Sequence, residues 1–139
     1  EEREGPDGEC AAVVEMTRQE PWGEYLVGPG GRPLYIFTAD QQGQPSQCTE
    51  RCAEAWPPLL TSEQPRYGDT GVRQELLGTV ERPDSRQRQV TYNGWPLYFF
   101  QRDEGGQRVT GQDVEGFGGE WYLIGPDGQP LEDEEGPQA

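Results

Sequence analysis

Two aspartates hold matching places in the chain, Asp40 closing Tyr35-x-Phe37-x-x-Asp40 and Asp103 closing Tyr98-x-Phe100-x-x-Asp103. A pair of carboxylates flanking a sugar linkage is the machinery of glycoside hydrolysis, with their separation setting the stereochemical outcome. That chemistry needs an acid and a base in unlike environments. Positions related by a repeat predict two like roles instead. The rest of the catalytic inventory is thin. The chain has no His and all 11 of its basic residues are Arg, so it lacks the usual general base and the usual amine nucleophile. Ser46, Ser62 and Ser85 have no His to activate them, and no Gly-x-Ser-x-Gly elbow is present. The expectation is a protein that is not an enzyme, with no catalytic residue.

Asp40, Asp103 and Asp113 could offer hard oxygen ligands to calcium. Neither EF-hand spacing nor a glycine-rich nonapeptide repeat accompanies them. No cofactor is therefore expected, with calcium as the alternative. Cys48 and Cys52 stand four apart, and without His to complete a zinc shell the pair reads as a disulfide rather than a metal site. Cys10 is left over, either a free thiol or a partner for another molecule's cysteine.

The scaffold that must position these groups is visible in the composition. The 139 residues suit one domain, and 20 Gly, 13 Pro and 14 aromatic residues suit a β protein with tight turns. The net charge of −15 argues against nucleic acid and anionic membrane surfaces, which need clustered cations. No apolar run reaches the roughly 20 residues that span a bilayer, so no transmembrane segment is expected. The first residue is Glu1 rather than Met, which reads as a mature product after signal removal.

Gly31 to Asp40 recurs as Gly94 to Asp103 with Gly, Pro, Leu, Tyr, Phe and Asp in register. In each copy Tyr and Phe alternate with apolar neighbours, predicting a central strand buried on both faces. Asp40 is expected to accept backbone N–H groups from the turn that follows it. Glu24 to Val27 before the Gly-Pro-Gly-Gly tetrad predicts a hairpin, and Asn93-Gly94 is the strongest hairpin signal in the chain. Ser46 is placed to cap one short helix through Cys48 to Ala55, ended by Trp56-Pro57-Pro58. Val72 to Leu77 reads as a helical turn, and Arg102 to Glu120 as a long glycine-rich loop.

Trp121 to Leu131 repeats the pattern of Glu24 to Leu34, but acidic residues follow where a third Tyr-x-Phe should stand. The predicted architecture is mainly β, an antiparallel sheet or barrel-like domain from two hairpin repeats plus a truncated third, with one short helix. Residues 1–23 form an N-terminal arm with an exchange strand, 24–131 the two-repeat β domain, and 132–139 an acidic tail. The truncated repeat reads either as a closing edge or as an edge open to another chain.

Several landmarks fall in one order: the paired Tyr-x-aromatic-x-x-Asp motifs, Cys48-x-x-x-Cys52 before Trp56-Pro57-Pro58-Leu59, Tyr92-Asn93-Gly94, and Trp121-Tyr122 before Pro126-Asp127-Gly128. In this the chain resembles bacterial secreted-repeat lipoproteins of unknown function, from about Glu24 to Leu131. The resemblance implies export, an extracellular or cell-surface location and a mainly β fold, and carries no activity with it. The functional expectation is an exported, non-enzymatic structural or interaction protein. One form is a filament subunit that donates its N-terminal strand to a neighbour, with Cys10, Val13 and Val14 at the contact. The alternative is a monomeric cell-envelope module binding calcium or another small ligand.

Overall fold

The computed structural model describes residues 12–20, 22–28, 31–44, 46–61, 65–67, 72–83, 87–101, 103, 109, 111–112 and 114–131. Cys10, Asp113, and the stretches 1–11 and 132–139 lie outside them.

The elements run in the order β1 (Val13–Gln19), β2 (Gly23–Val27), β3 (Tyr35–Phe37), α1 (Arg51–Ala55), β4 (Leu60–Thr61) and β5 (Arg66–Tyr67). A 3-10 turn (Gln74–Leu76) then leads to β6 (Leu77–Glu81), β7 (Arg88–Tyr92), β8 (Trp95–Pro96), β9 (Val114–Gly116) and β10 (Gly119–Leu123). Three small sheets result: β2-β1-β5, β3-β10-β9, and β4-β7-β6 with β8 paired to β7. All pairings are antiparallel except β1 with β5. The mainly β, antiparallel class with one short helix is as expected. The ladders do not close into a barrel.

One turn is built three times. Gly28 N–H donates to Arg32 C=O, Gly31 to Gly28, and Leu34 to Leu26. Ninety-seven residues on, Gly125 donates to Gln129, Gly128 to Gly125, and Leu131 to Leu123. The middle copy is tighter: Asn93 (φ 54) and Gly94 (φ 83) make a two-residue turn between Tyr92 and Trp95, and Leu97 donates to Val90. Left-handed backbone at both positions is what the Asn-Gly pair supplies cheaply.

The first motif forms β3, flanked by β10 on one side and by Tyr98 on the other, whereas the second makes only isolated bridges at Tyr98 in place of the expected strand. Leu34 and Ile36 enter an aliphatic core with Leu26, Leu59, Val90 and Leu97, while Tyr35 and Phe37 enter an aromatic core with Trp56, Tyr98, Phe100 and Trp121. Tyr35 and Tyr98 exchange backbone N–H and C=O groups in both directions, at 2.9 and 3.0 Å. On its other side each motif lies against the segment around the other copy's tryptophan. Phe37, Ile36 and Tyr35 pair with Trp121, Tyr122 and Leu123. In the second copy, Gln101 donates to Ala55, Phe99 to Pro57, and Tyr98 forms a bridge with Pro58. The two repeats are thus interlocked about a pseudo-two-fold axis between Tyr35 and Tyr98.

Two local expectations are corrected, and one open alternative is resolved. The helix begins at Arg51 and its cap residue Glu50 makes no side-chain cap bond, while Ser46 lies outside the helix, its Oγ accepting the Cys48 N–H and meeting the Tyr98 hydroxyl. The truncated third repeat does not leave an open edge, since β10 lies between β3 and β9 and Leu26 N–H donates to Ile124 C=O. The long loop expected over Arg102 to Glu120 contains a hairpin, β9–β10, with Gly116 opposite Gly119.

The expected exchange strand is completed within the chain. β1 pairs with β2 over five residues, from Glu15 opposite Val27 to Gln19 opposite Gly23, and Val13 and Val14 pair with Arg66 and Tyr67. Val14 is fully buried in the aliphatic core, because its apolar side chain gains more from that burial than from water.

Candidate functional site

The six motif residues named from sequence converge at the pseudo-two-fold axis, and they do so crosswise. Tyr35 of the first motif donates its hydroxyl proton to the Asp103 carboxylate of the second. Tyr98 of the second donates to the Asp40 carboxylate of the first at 2.6 Å. Asp40 and Asp103 are 4% and 0% exposed, and both tyrosines are fully buried. Each aspartate is fixed by the same turn, with Asp40 N–H on Phe37 C=O at 3.0 Å and Asp103 N–H on Phe100 C=O at 2.9 Å. The other Asp40 oxygen accepts the Gln47 N–H at 2.6 Å, as expected for a turn-closing carboxylate.

A buried carboxylate without partners would be driven to the neutral acid. Burial does push the Asp40 carboxyl above its ordinary range, and the bonds from Tyr98 and Gln47 and the charge of Arg82 pull against it. The Tyr98 hydroxyl is raised strongly, first by burial and then by the adjacent Asp40 charge, so in the ground state the proton belongs to tyrosine. Ser46 Oγ bonds the Tyr98 oxygen, and Gly111 N–H donates to the Tyr35 oxygen at 3.1 Å.

The aromatic rings form one continuous stack. Phe37 lies on Trp121 with centroids 4.1 Å apart, Trp121 on Trp56 at 3.9 Å and 2° between planes, and Trp56 on Phe100 at 4.0 Å. The exchange recurs here, because each motif's Phe rests on the tryptophan of the other copy. Tyr35 meets Trp56 edge-on at 5.4 Å, and Tyr98 meets Trp121 edge-on at 5.1 Å. Cys48 and Cys52 are bridged, as read from the sequence, with Cα atoms 5.1 Å apart. Buried Arg82 donates to Cys48 C=O and to Gln89 Oε1, both at 2.8 Å, tying the bridge to β7.

Asp40 and Asp103 are thus each buried and hydrogen-bonded to the tyrosine of the other motif. Among the described residues no group of three or more Cys, Asp or Glu is gathered to hold a metal.

Outside the core, two adjoining clefts of about 460 and 380 Å³ flank the β9–β10 hairpin. One is walled by Trp56, Phe100, Val114 and Phe117, the other by Thr38, Glu115 and Glu120. The hairpin tip is Phe117-Gly118, with φ 57 and 92. This is nearly the backbone of Asn93-Gly94, with phenylalanine where asparagine is at ease. A bulky side chain in left-handed backbone is a strained choice, and Phe117, 52% exposed, is the exposed large hydrophobic among the described residues. Among the described residues β9 ends its sheet, and the Trp121 indole N–H donates to Gly116 C=O at 3.4 Å, joining the hairpin to the stack. The signal for this hairpin was present in Gly116-Phe117-Gly118-Gly119, but the surrounding glycine-rich stretch disguised it as loop.

Comparison with known proteins agrees with the two-copy architecture. Residues 16–60 and 78–124 match the model of a family described as a secreted repeat of unknown function. Each matched stretch runs through one hairpin and motif to the segment after its tryptophan. No curated protein and no solved structure matches the chain.

Proposed function

The chain belongs to this family of secreted repeats, and from that premise we propose that it is an exported, non-enzymatic interaction module whose docking element is the β9–β10 hairpin. The observation that carries the reading is Phe117, an exposed aromatic kept at a backbone conformation that disfavours it. Strain of that kind at a loop tip points to a role in recognition. The family is described as secreted, and no helix among the described residues is long and apolar enough to cross a membrane.

The occupant is an extended, basic segment of a partner chain that adds a strand to β9, with its apolar residues against Phe117 and Val114. Among the described residues β9 has a strand partner on one side only, which leaves an edge for strand addition. Glu115 and Glu120 wall the adjoining cleft, and the chain carries a net charge of −15, so a cationic partner is drawn in and a second copy is repelled. The strand-donation form of self-association is less supported, because it would open the β1–β2 ladder and pull Val14 from the core. Calcium at Asp40 or Asp103 would have to displace a buried tyrosine bond.

The test is fluorescence anisotropy of a labelled peptide alternating Lys and Val, titrated with the native protein. Saturable binding that weakens with salt and is lost in Phe117→Ser supports the reading. Equal binding of a proline-interrupted peptide of the same charge would overturn it, because proline cannot pair along an edge. A dimer that Phe117→Ser dissolves would reassign the hairpin to a second copy.

A further inference from the structure

The buried aromatic assembly has an arrangement that close packing alone does not demand. Six side chains form one chain in space, Asp103–Tyr35–Trp56–Trp121–Tyr98–Asp40, with a near-parallel indole pair in the middle and a hydrogen-bonded phenol and carboxylate at each end. Indole and phenol are among the side chains most readily oxidised by one electron. We propose that this assembly is a redox site that accepts a single oxidising equivalent at the Trp56–Trp121 pair and holds it as a neutral tyrosyl radical, with the phenolic proton passed to the paired aspartate.

Each step follows from the geometry. Trp56 and Phe100 line the 380 Å³ cleft, so an outer-sphere one-electron oxidant, such as a small inorganic radical or an oxidised metal complex, can approach the stack without entering the core. Removing an electron from Trp56 leaves a cation radical. Overlap with Trp121 at 3.9 Å and 2° spreads that charge over two indoles. A positive charge in a dry interior is costly, and carboxylates near both ends of the chain attract it.

The Tyr98 ring is in edge contact with Trp121. One electron moves from Tyr98 to the indole pair while the phenolic proton moves along the existing 2.6 Å bond to Asp40. The indole pair is restored, and the products are a neutral phenoxyl radical and a neutral carboxylic acid. The step therefore removes a cation and an anion from a low-dielectric core, which is its driving force. Burial, which already favours protonated Asp40, acts in the same direction. Ser46 Oγ remains beside the phenoxyl oxygen as a donor. A one-electron reductant such as a thiolate or an enediol, arriving at the same cleft, returns the electron, and the proton moves back from Asp40 to the phenol oxygen. Tyr35 and Asp103, with Gly111 N–H in the place of Ser46, provide the same step at the other end.

This goes beyond the docking role and does not depend on it. The test is flash-quench oxidation of the native, disulfide-intact protein with photogenerated tris(bipyridine)ruthenium(III), followed by transient absorption and electron paramagnetic resonance. The expected result is a tryptophanyl signal that converts to a tyrosyl signal, with conversion slower in D2O. Tyr98→Phe keeps the ring and should shift the radical to Tyr35. The Tyr35→Phe/Tyr98→Phe double variant should stop at the tryptophanyl signal. Should that double variant not fold, the isotope effect on the native protein still decides. Radicals confined to the partly exposed Trp22 or Trp95 would overturn the proposal, as would a native tyrosyl signal unchanged in the double variant or a conversion with no isotope effect.

Discussion

Tyr98 hydrogen-bonds the carboxylate of Asp40, the aspartate of the other motif rather than of its own. The same holds for Tyr35 with Asp103. A motif repeated in sequence thereby becomes a clasp in space, and neither copy is complete alone.

Removing the hydroxyl of Tyr98 leaves a buried Asp40 oxygen without its donor. A hydrogen bond to a charged group contributes about 1.5–3 kcal/mol, and an orphaned buried acceptor adds to the loss. Tyr98→Phe should therefore lower unfolding stability by about 3 kcal/mol in urea melts. A loss below about 0.5 kcal/mol, the range of surface substitutions, would mean the bond is not made.

Asp40 gives the stability a pH signature. Its carboxyl is raised in the folded protein, by burial first, so the native state binds the proton more tightly than the unfolded chain. Stability from this group is then full below the unfolded value near 3.8 and falls as pH rises through the higher folded value. Against Asp40→Asn, which cannot ionise, the wild type should gain stability as pH drops from 7 toward 4. Parallel urea midpoints for the two proteins across that range would contradict this.

The Cys48–Cys52 bridge closes a short loop, with a sequence separation of 4. Chain entropy for so small a loop gives about 2 kcal/mol. Reduction, or Cys48→Ser with Cys52→Ser, should cost about that much and leave the far-UV circular dichroism of the folded protein unchanged.

At the hairpin tip, Phe117→Asn should raise stability by about 1 kcal/mol, because asparagine tolerates left-handed backbone and the strain there is of that order. The same substitution should abolish peptide binding at β9. A variant less stable than wild type would show that Phe117 packs rather than projects.

Much of this was legible in the chain. The alternation in Leu34-Tyr35-Ile36-Phe37 placed one pair in each core, and Asn93-Gly94 announced its turn. Cys48 and Cys52, four apart, announced their bridge. The crossing of the copies was not legible, because a repeat shows which residues are equivalent and not whether they bond within a copy or between copies. Nor was the equivalence of Trp56 and Trp121: one precedes Pro57-Pro58 and the other Tyr122-Leu123, so only the stacked rings reveal them as counterparts. Ser46 was misplaced for a related reason. A serine before a helix reads as a cap by local rules, whereas here its hydroxyl accepts the Cys48 N–H ahead of the helix and meets Tyr98, 52 residues away.

The exchanged clasp is the central claim, and a pair of double-mutant cycles tests it most directly. Tyr98→Phe combined with Asp40→Asn should show a coupling of about 1.5 kcal/mol or more, while Tyr98→Phe combined with Asp103→Asn should be additive within about 0.5 kcal/mol. Coupling of Tyr98 to Asp103 and not to Asp40 would mean that each motif closes on itself, and would contradict the interlocked fold.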